Sequence, residues 1–269
     1  MKTNLTTDYV DELLRKYLPK NIDKVAQAME YSVFSGGKRI RPLLLLATCQ
    51  AVSGKVNDGA KLMAVVLEFV HTYSLIHDDL PCMDNDDLRR GKRSCHMQYG
   101  EATAVLAGDA LLNLAAEIAF CGPLSNKSYL KACQYMFARS GIDGMVHGQS
   151  LDLFTETKSL EDAEAVALHK TGDLIRAAIV CGALCGGASD GEIEVFDEIA
   201  SKLGICYQIV DDMLDADKCE KSFLDVYSER DLKHFAAKLT AKILELCDSL
   251  PYDLHFVKEI VNNNLSRKF

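Results

Sequence analysis

No stretch of this chain alternates apolar and polar residues for long enough to make a strand, which sets sheet-based folds aside at the outset. Glycine and proline are not enriched, at 17 and 5 of 269 residues, and there is no low-complexity run to suggest a fibrous or linker-rich protein. Positive charge is in deficit. Thirty Lys and Arg against 39 Asp and Glu leave a formal net charge of −9, the wrong sign for a general nucleic-acid binder. No apolar stretch reaches the ~18–20 residues a membrane span needs; Leu43 to Leu46 is apolar, but Arg41 and Gln50 bracket it. The N-terminal MKTNLTTDYVDELLRKYL holds acids and no apolar h-region, so it does not read as a signal peptide. The ten cysteines include no Cys-x-x-Cys pair, which argues against zinc, and the chain is too large and unlike a secreted domain to be a disulfide scaffold. Reduced thiols in a cytoplasmic protein are expected, with Cys181 and Cys185 one helical turn apart on a buried face. A Gly-x-x-x-x-Gly-Lys-[Ser/Thr] loop is also missing, as is any Ser/His/Asp motif with its local context.

What is present is helical periodicity. Apolar residues recur at three- and four-residue spacing, as in Leu62, Val65, Val66, Phe69 and Val70. The pattern predicts helices at about 5–17, 21–34, 38–53, 59–80, 101–120, 127–149, 162–187, 191–215, 229–249 and 253–266, separated by breakers such as Gly36-Gly37, Gly54, Pro81, Gly122-Pro123 and Pro251. No linker is long or polar enough to divide the chain, so residues 1–269 are expected to form one all-α domain. The Gly144/Gly148 and Gly182/Gly186 pairs suit close approach of neighbouring helices.

Against this apolar background stand two clusters of aspartate, HDDLPCMDNDDLRRGKR from His77 to Arg93 and QIVDDMLDAD from Gln208 to Asp217. Carboxylates crowded this closely repel one another unless something positive holds them, and Mg²⁺, a hard cation that shares its shell with phosphate oxygens, is the natural candidate. In the second cluster Asp211 and Asp215 share a helix face, with Gln208 one turn before Asp211. In the first, Asp78 and Asp84 are six apart and cannot align on a straight helix. Pro81 breaks the helical ladder, so a bulge over Leu80 to Met83 is expected to swing Asp84 back toward Asp78. His71, seven residues earlier, shares the face of Asp78.

Basic residues gather in three places: Lys38 and Arg41 after a glycine pair, expected on one helix face; Arg89-Arg90 behind the first acidic cluster; and Arg267-Lys268 at the C-terminus. Arginine forks suit phosphate oxygens. Two carboxylate clusters with several Arg and Lys are what a protein needs to hold one diphosphate through metal and another by direct charge. Glu68-x-x-His71 matches the di-iron helix motif, but a ferritin-like site needs a second copy and none is found.

GGKRIRP, HTYSLIHDDLPCMDNDDLRRGK, EATAVLAGDALL, GMVHGQSLDL, HKTGDLIRA and YQIVDDMLD follow one another in the order of a short-chain trans-prenyl diphosphate synthase. From about Tyr31 to Asp215, and more loosely to Phe269, the chain resembles bacterial farnesyl diphosphate synthases, with plant-type geranylgeranyl synthases as close relatives. The resemblance implies a single-domain isoprenoid-synthase bundle around a central apolar cavity, usually a homodimer. It implies condensation of isopentenyl diphosphate with an allylic diphosphate. Asp78, Asp79 and Asp84 on one wall and Asp211 on the other would bind three Mg²⁺ with the allylic diphosphate, and Asp212 and Asp215 complete the second motif. Arg89 and Lys170 would contact that diphosphate; Thr171 and Gln208 would sit near the reacting carbons. Lys38, Arg41, His71 and Arg90 would hold isopentenyl diphosphate. Tyr73 and Ser74 would floor the tail pocket, a tyrosine there favouring a fifteen-carbon product.

The chain departs from the family after Asp215. Relatives carry a longer loop with a Gly-Lys before a Lys-Ser-Thr segment; here Ala216 to Glu220 leads almost at once to Lys221-Ser222-Phe223. Lys221 matches the second lysine, and Lys218 stands nearest the first. The alternatives are a geranyl or geranylgeranyl diphosphate synthase or, because of the short loop, a weakly active or silent regulatory subunit. A class I terpene cyclase would leave Lys38, Arg41 and Arg90 without a task.

Overall fold

The computed structural model describes residues 3–20, 23–156, 158–214 and 223–265. Asp215, Lys218, Lys221 and the Arg267-Lys268 pair lie outside the described residues.

The periodic apolar stretches become α1 (Thr7–Tyr17), α2 (Lys24–Val33), α3 (Ile40–Ser53), α4 (Asp58–Asp78), α5 (Cys95–Tyr99), α6 (Glu101–Phe120), α7 (Lys127–Ser140), α8 (Met145–Phe154), α9 (Leu160–Val166), α10 (Asp173–Gly186), α11 (Asp190–Leu214), α12 (Glu229–Ser249) and α13 (His255–Leu265). Polar caps fix the starts. Thr6, Asp23, Asn57 and Ser228 each accept a bond from a first-turn N–H. Ser159 and Asp162 form a reciprocal capping box at α9. Helix α4 is the axis of the bundle, packed against α3, α6 and α10; α10 in turn meets α3, α7 and α11. The main core is one continuous cluster contributed by these helices. A smaller second core lies between α9, the C-terminal half of α11 and α12.

Four features depart from the sequence expectations. The segment expected as one helix over 127–149 is two, because the chain turns at Gly141–Gly144; a Cβ on Gly144 would lie 2.1 Å from the Arg139 carbonyl oxygen. The segment expected over 162–187 is one rod, but Ala167–Gly172 forms a wide π-turn between α9 and α10. Two-residue strands β1 (Leu88–Arg89) and β2 (Lys92–Arg93) pair antiparallel. Their turn residues Arg90 and Gly91 have φ of 55° and 76°, as the tight turn that suits twisted strands demands. Finally, α3 starts at Ile40, so Lys38 stands in the loop before the helix rather than on a face with Arg41.

Gly148, Gly182 and Gly186 are used as expected, at close approaches to neighbouring segments, whereas Gly144 serves the turn between α7 and α8. A Cβ on Gly182 would lie 2.3 Å from Leu45 O of α3, and one on Gly148 would lie 2.0 Å from the backbone N of Lys170. The nine described cysteines are free, with Cys181 fully buried and Cys185 half-buried. By length and mean hydropathy alone α4 and α6 reach the threshold of a membrane span, although polar residues interrupt the apolar run in both. Helix α4 does so as a core helix, with 72% of its apolar window buried.

Candidate active site

The bulge after α4 forms as Pro81 requires. Helix α4 stops at Asp78, and the Asp84 N–H donates to the Asp78 carbonyl at 2.9 Å, bringing the two aspartates together. A cavity of about 400 Å³ opens beside them. Tyr73, Met145, Leu153, Phe154 and Leu174 give it apolar walls, and Arg41, His71, Ser74, Asp78, Gln149, Lys170 and Thr171 supply polar groups. This mixture is typical of small-molecule sites.

The charge problem posed by the first cluster has two protein answers. Arg89 Nε donates to buried Asp79 at 2.8 Å, and its Nη2 reaches Asp86 at 3.1 Å. Lys170 Nζ donates to Asp152 at 2.6 Å and stands 4.0 Å from Asp84. Burial would depress the Lys170 ammonium, but Asp78, Asp152 and Asp84 together hold its pKa above the ordinary value. Asp78 itself, bonded by Gln149 Nε2, is pushed up to about 6, chiefly by burial and further by Asp84 and Asp79 against Lys170 and Arg89.

Lys170 and Thr171 stand in the π-turn, and that turn joins the two acidic clusters. Thr171 Oγ1 donates to Gln208 Oε1 at 2.7 Å, and Gln208 Nε2 donates to Asp212 Oδ1 at 2.7 Å. Asp212 also accepts from the Phe223 N–H at 2.8 Å. Burial pushes Asp212 up to about 6, with Asp211 and Asp225 adding to it against the Phe223 and Gln208 bonds. A continuous run of polar contacts therefore leads from Asp84 through Lys170-Thr171 to Gln208 and Asp212. Gln208 bonds Asp212, one turn after it, rather than Asp211.

Across the cavity the groups are basic. Arg41 Nη1 lies 3.4 Å from His71 Nε2, and Arg41 Nε is buried without an acceptor among the described residues. Burial and then Arg41 and Arg90 hold His71 well below its usual pKa, so it is neutral at pH 7. Burial lowers Arg41 against the pull of Glu68, Tyr207 and Asp211. Lys38 and Arg90 are exposed. Glu68 is paired with Arg39 at 2.6 Å, which occupies the carboxylate of the Glu-x-x-His motif. Tyr73 is buried at the cavity wall, its ring edge-on to His77 at 5.8 Å.

Gln149 and Asp152 were missed in the sequence. Their signal was present: two polar residues at i and i+3 on the short α8, with Asp152 set between Leu151 and Leu153.

Residues 22–267 match the polyprenyl synthetase family. The chain belongs to that family. It is 45% identical over 209 residues to a farnesyl diphosphate synthase from Micrococcus luteus, a match spanning 77% of this chain and 71% of the relative. It is 44% identical over 214 residues to geranylgeranyl pyrophosphate synthase 4 from Arabidopsis thaliana, spanning 78% of this chain but 56% of the relative, so it covers little more than half the length of the plant protein. A farnesyl/geranylfarnesyl diphosphate (FPP/GFPP) synthase structure from Zymomonas mobilis superposes with a TM-score of 0.88 at 34% identity, covering 96% of this chain and 95% of that one. A geranyltransferase structure from Legionella pneumophila does so with a TM-score of 0.88 at 32% identity, covering 97% and 95%. As a member of this family the protein is a prenyltransferase of the all-α isoprenoid-synthase fold.

Proposed function

We propose that the protein condenses isopentenyl diphosphate with dimethylallyl and then geranyl diphosphate, forming farnesyl diphosphate and releasing inorganic diphosphate. The observation that carries this reading is that one cavity is bordered by two unlike anion sites, Asp78 with Lys170 and the Arg41–His71 pair. The first suits a diphosphate held together with a cation, the second one held by direct charge.

Among the described residues no three acidic, His or Cys groups already form a metal cage. The donor set still fits Mg²⁺, which is held by one or two carboxylates and fills its shell with phosphate and water oxygens. Asp78, Asp84 and Asp211 would hold it. Bound there, it would neutralise charge growing on the departing diphosphate.

In the reaction the allylic C1–O bond breaks and diphosphate leaves with the electron pair. The isopentenyl double bond attacks C1, and a proton passes from the resulting cation to the released diphosphate. No protein base is needed. Lys170 and Arg89 meet the leaving group. Thr171 has its proton committed to Gln208, which leaves oxygen lone pairs for the allylic cation in the cavity it lines. Diphosphate release from dimethylallyl plus isopentenyl diphosphate, with and without Mg²⁺, tests this. No release under either condition sinks the reading, and equal release in both sinks the metal alone.

Geranylgeranyl diphosphate is the competing product, since synthases of that name are among the relatives. Tyr73, buried on the wall, supports the shorter one. Replacing Tyr73 by Ala is expected to lengthen the product, read by chromatography of the dephosphorylated alcohols; an unchanged length would remove Tyr73 from the floor. We also propose a homodimer through α6, on which Val105, Leu106 and Phe120 are 40%, 54% and 67% exposed. Sedimentation at micromolar concentration reads the assembly directly.

A further inference from the structure

Arg39 takes no part in the chemistry above, yet it is the most heavily bonded side chain near the basic site. It is 4% exposed. Its Nε donates to Asp11 of α1 at 2.8 Å, its Nη1 to Glu68 of α4 at 2.6 Å, and its Nη2 to the Val33 carbonyl at the end of α2 at 2.6 Å. Burial disfavours the guanidinium charge, but Glu68 and Asp11 outweigh that and raise its pKa. All three nitrogens of one planar fork thus donate, each to a different helix.

The backbone at Arg39 is equally committed. Its φ is 50°, the left-handed region that non-glycine residues seldom enter and that the surroundings must enforce. It stands at the junction where Gly36 and Gly37, with φ of 113° and 121°, hand the chain to α3. Lys38 is the residue before this point and Arg41 lies two residues after it. The loop is gripped on its other side by Arg90, which donates to the Gly36 carbonyl. A Cβ on Gly37 would lie 2.6 Å from Arg90 Nη1, so loop and arginine are in direct contact. Glu68 lies one turn before His71 on α4, and it also offsets the charge of Arg41 and Arg90.

We propose that Arg39, clamped by Glu68 and Asp11, is a positioning residue that fixes Lys38, Arg41 and Arg90 as one receptor for the isopentenyl diphosphate, without touching that ligand. The inference rests on the two-diphosphate reading above. It differs from a general stabilising role in being one-sided. The clamp reaches the basic site, whereas Asp78, Asp84 and Lys170 are held by their own partners.

The test is steady-state kinetics on Arg39→Gln, Glu68→Gln and Arg39→Lys with each substrate varied in turn. Arg39→Gln is expected to raise KM for isopentenyl diphosphate about 10- to 100-fold, the size usual when a group that orients a ligand is lost. KM for the allylic diphosphate should stay within about twofold. Glu68→Gln should move the same constant in the same direction. Arg39→Lys, which restores the charge but not the three-way fork, should fall between wild type and Arg39→Gln. An unchanged KM for isopentenyl diphosphate, or an equal rise for both substrates, overturns the inference. If Arg39→Gln loses its helical circular dichroism, Asp11→Asn is read instead, and a selective rise of about threefold is expected; no rise overturns the inference. Wild-type protein without condensation activity would sink the functional reading itself, which these ratios do not address.

Discussion

Asp78→Asn is expected to lower kcat/KM about 1,000-fold, equivalent to ~4 kcal/mol of transition-state stabilisation. The amide keeps the oxygen that accepts from Gln149 and keeps the shape of the side chain, so the bulge from Leu80 to Met83 should survive. What is lost is the charge that would draw a cation onto the leaving group. The same carboxylate predicts a pH profile. Its pKa of about 6 means that wild-type activity should fall as pH drops through about 6, because a proton there would displace the cation that this carboxylate is proposed to hold. Stability should move the other way. Between the ordinary carboxylate value of 3.8 and about 6, the folded protein binds protons at Asp78 and Asp212 that the unfolded chain has released. The ligand-free protein therefore loses stability as pH rises through that window, and the loss is complete above it. Asp78→Asn removes part of the slope. It should melt higher than wild type at pH 7 while being nearly inactive, and a lower melting temperature would show that the burial penalty is not borne there.

Gly148→Ala is expected to be the most damaging change that adds a single methyl group. The new Cβ would lie 2.0 Å from Lys170 N and 2.4 Å from the His169 carbonyl carbon, both backbone atoms that cannot rotate aside. Helix α8 must back away from the π-turn, and with it go Asp152, which holds Lys170, and Gln149, which holds Asp78. Overpacking of this kind costs about 1–3 kcal/mol of stability. The kinetic loss should be larger, about 100-fold in kcat, because small misplacements of groups around a reacting centre are costly. Thermal melting and kcat measured on the same preparation separate the two. A normal kcat in the variant would mean that α8 does not set the position of Lys170.

The sequence made some of this legible and hid the rest for definite reasons. The return of Asp84 to Asp78 could be read because proline and a six-residue spacing leave the chain few alternatives. Resemblance marked Thr171 and Gln208 as site residues, but their contact was hidden, since no local pattern links residues 37 apart. The division of 127–149 was hidden because apolar spacing continues across Gly141, and only the glycines mark the turn. The hairpin at 88–93 was hidden because strands of two residues show no alternation. Arg39 was hidden by its neighbours: in a run of Lys, Arg and Arg nothing local tells which side chain turns inward, and the answer lies with Glu68 and Asp11, one on each of two other helices.

The π-turn at Ala167–Gly172 has a consequence for how this rod can vary. Ala163 of α9 and Ala167, the first residue of the turn, face the small core, while Leu174, Ile175 and the other buried apolar residues of α10 face the large one. A helix advances about 100° per residue, so the wider turn acts as a phase shift between two faces that would otherwise fall out of step. Deleting one residue within it would restore a regular helix and rotate one half against the other by that angle. Either α10 would leave the main core or α9 would leave the small one, and Lys170 and Thr171 could no longer reach Asp152 and Gln208 together. Across this turn the length of the rod should therefore be as constrained as the identities of Lys170 and Thr171.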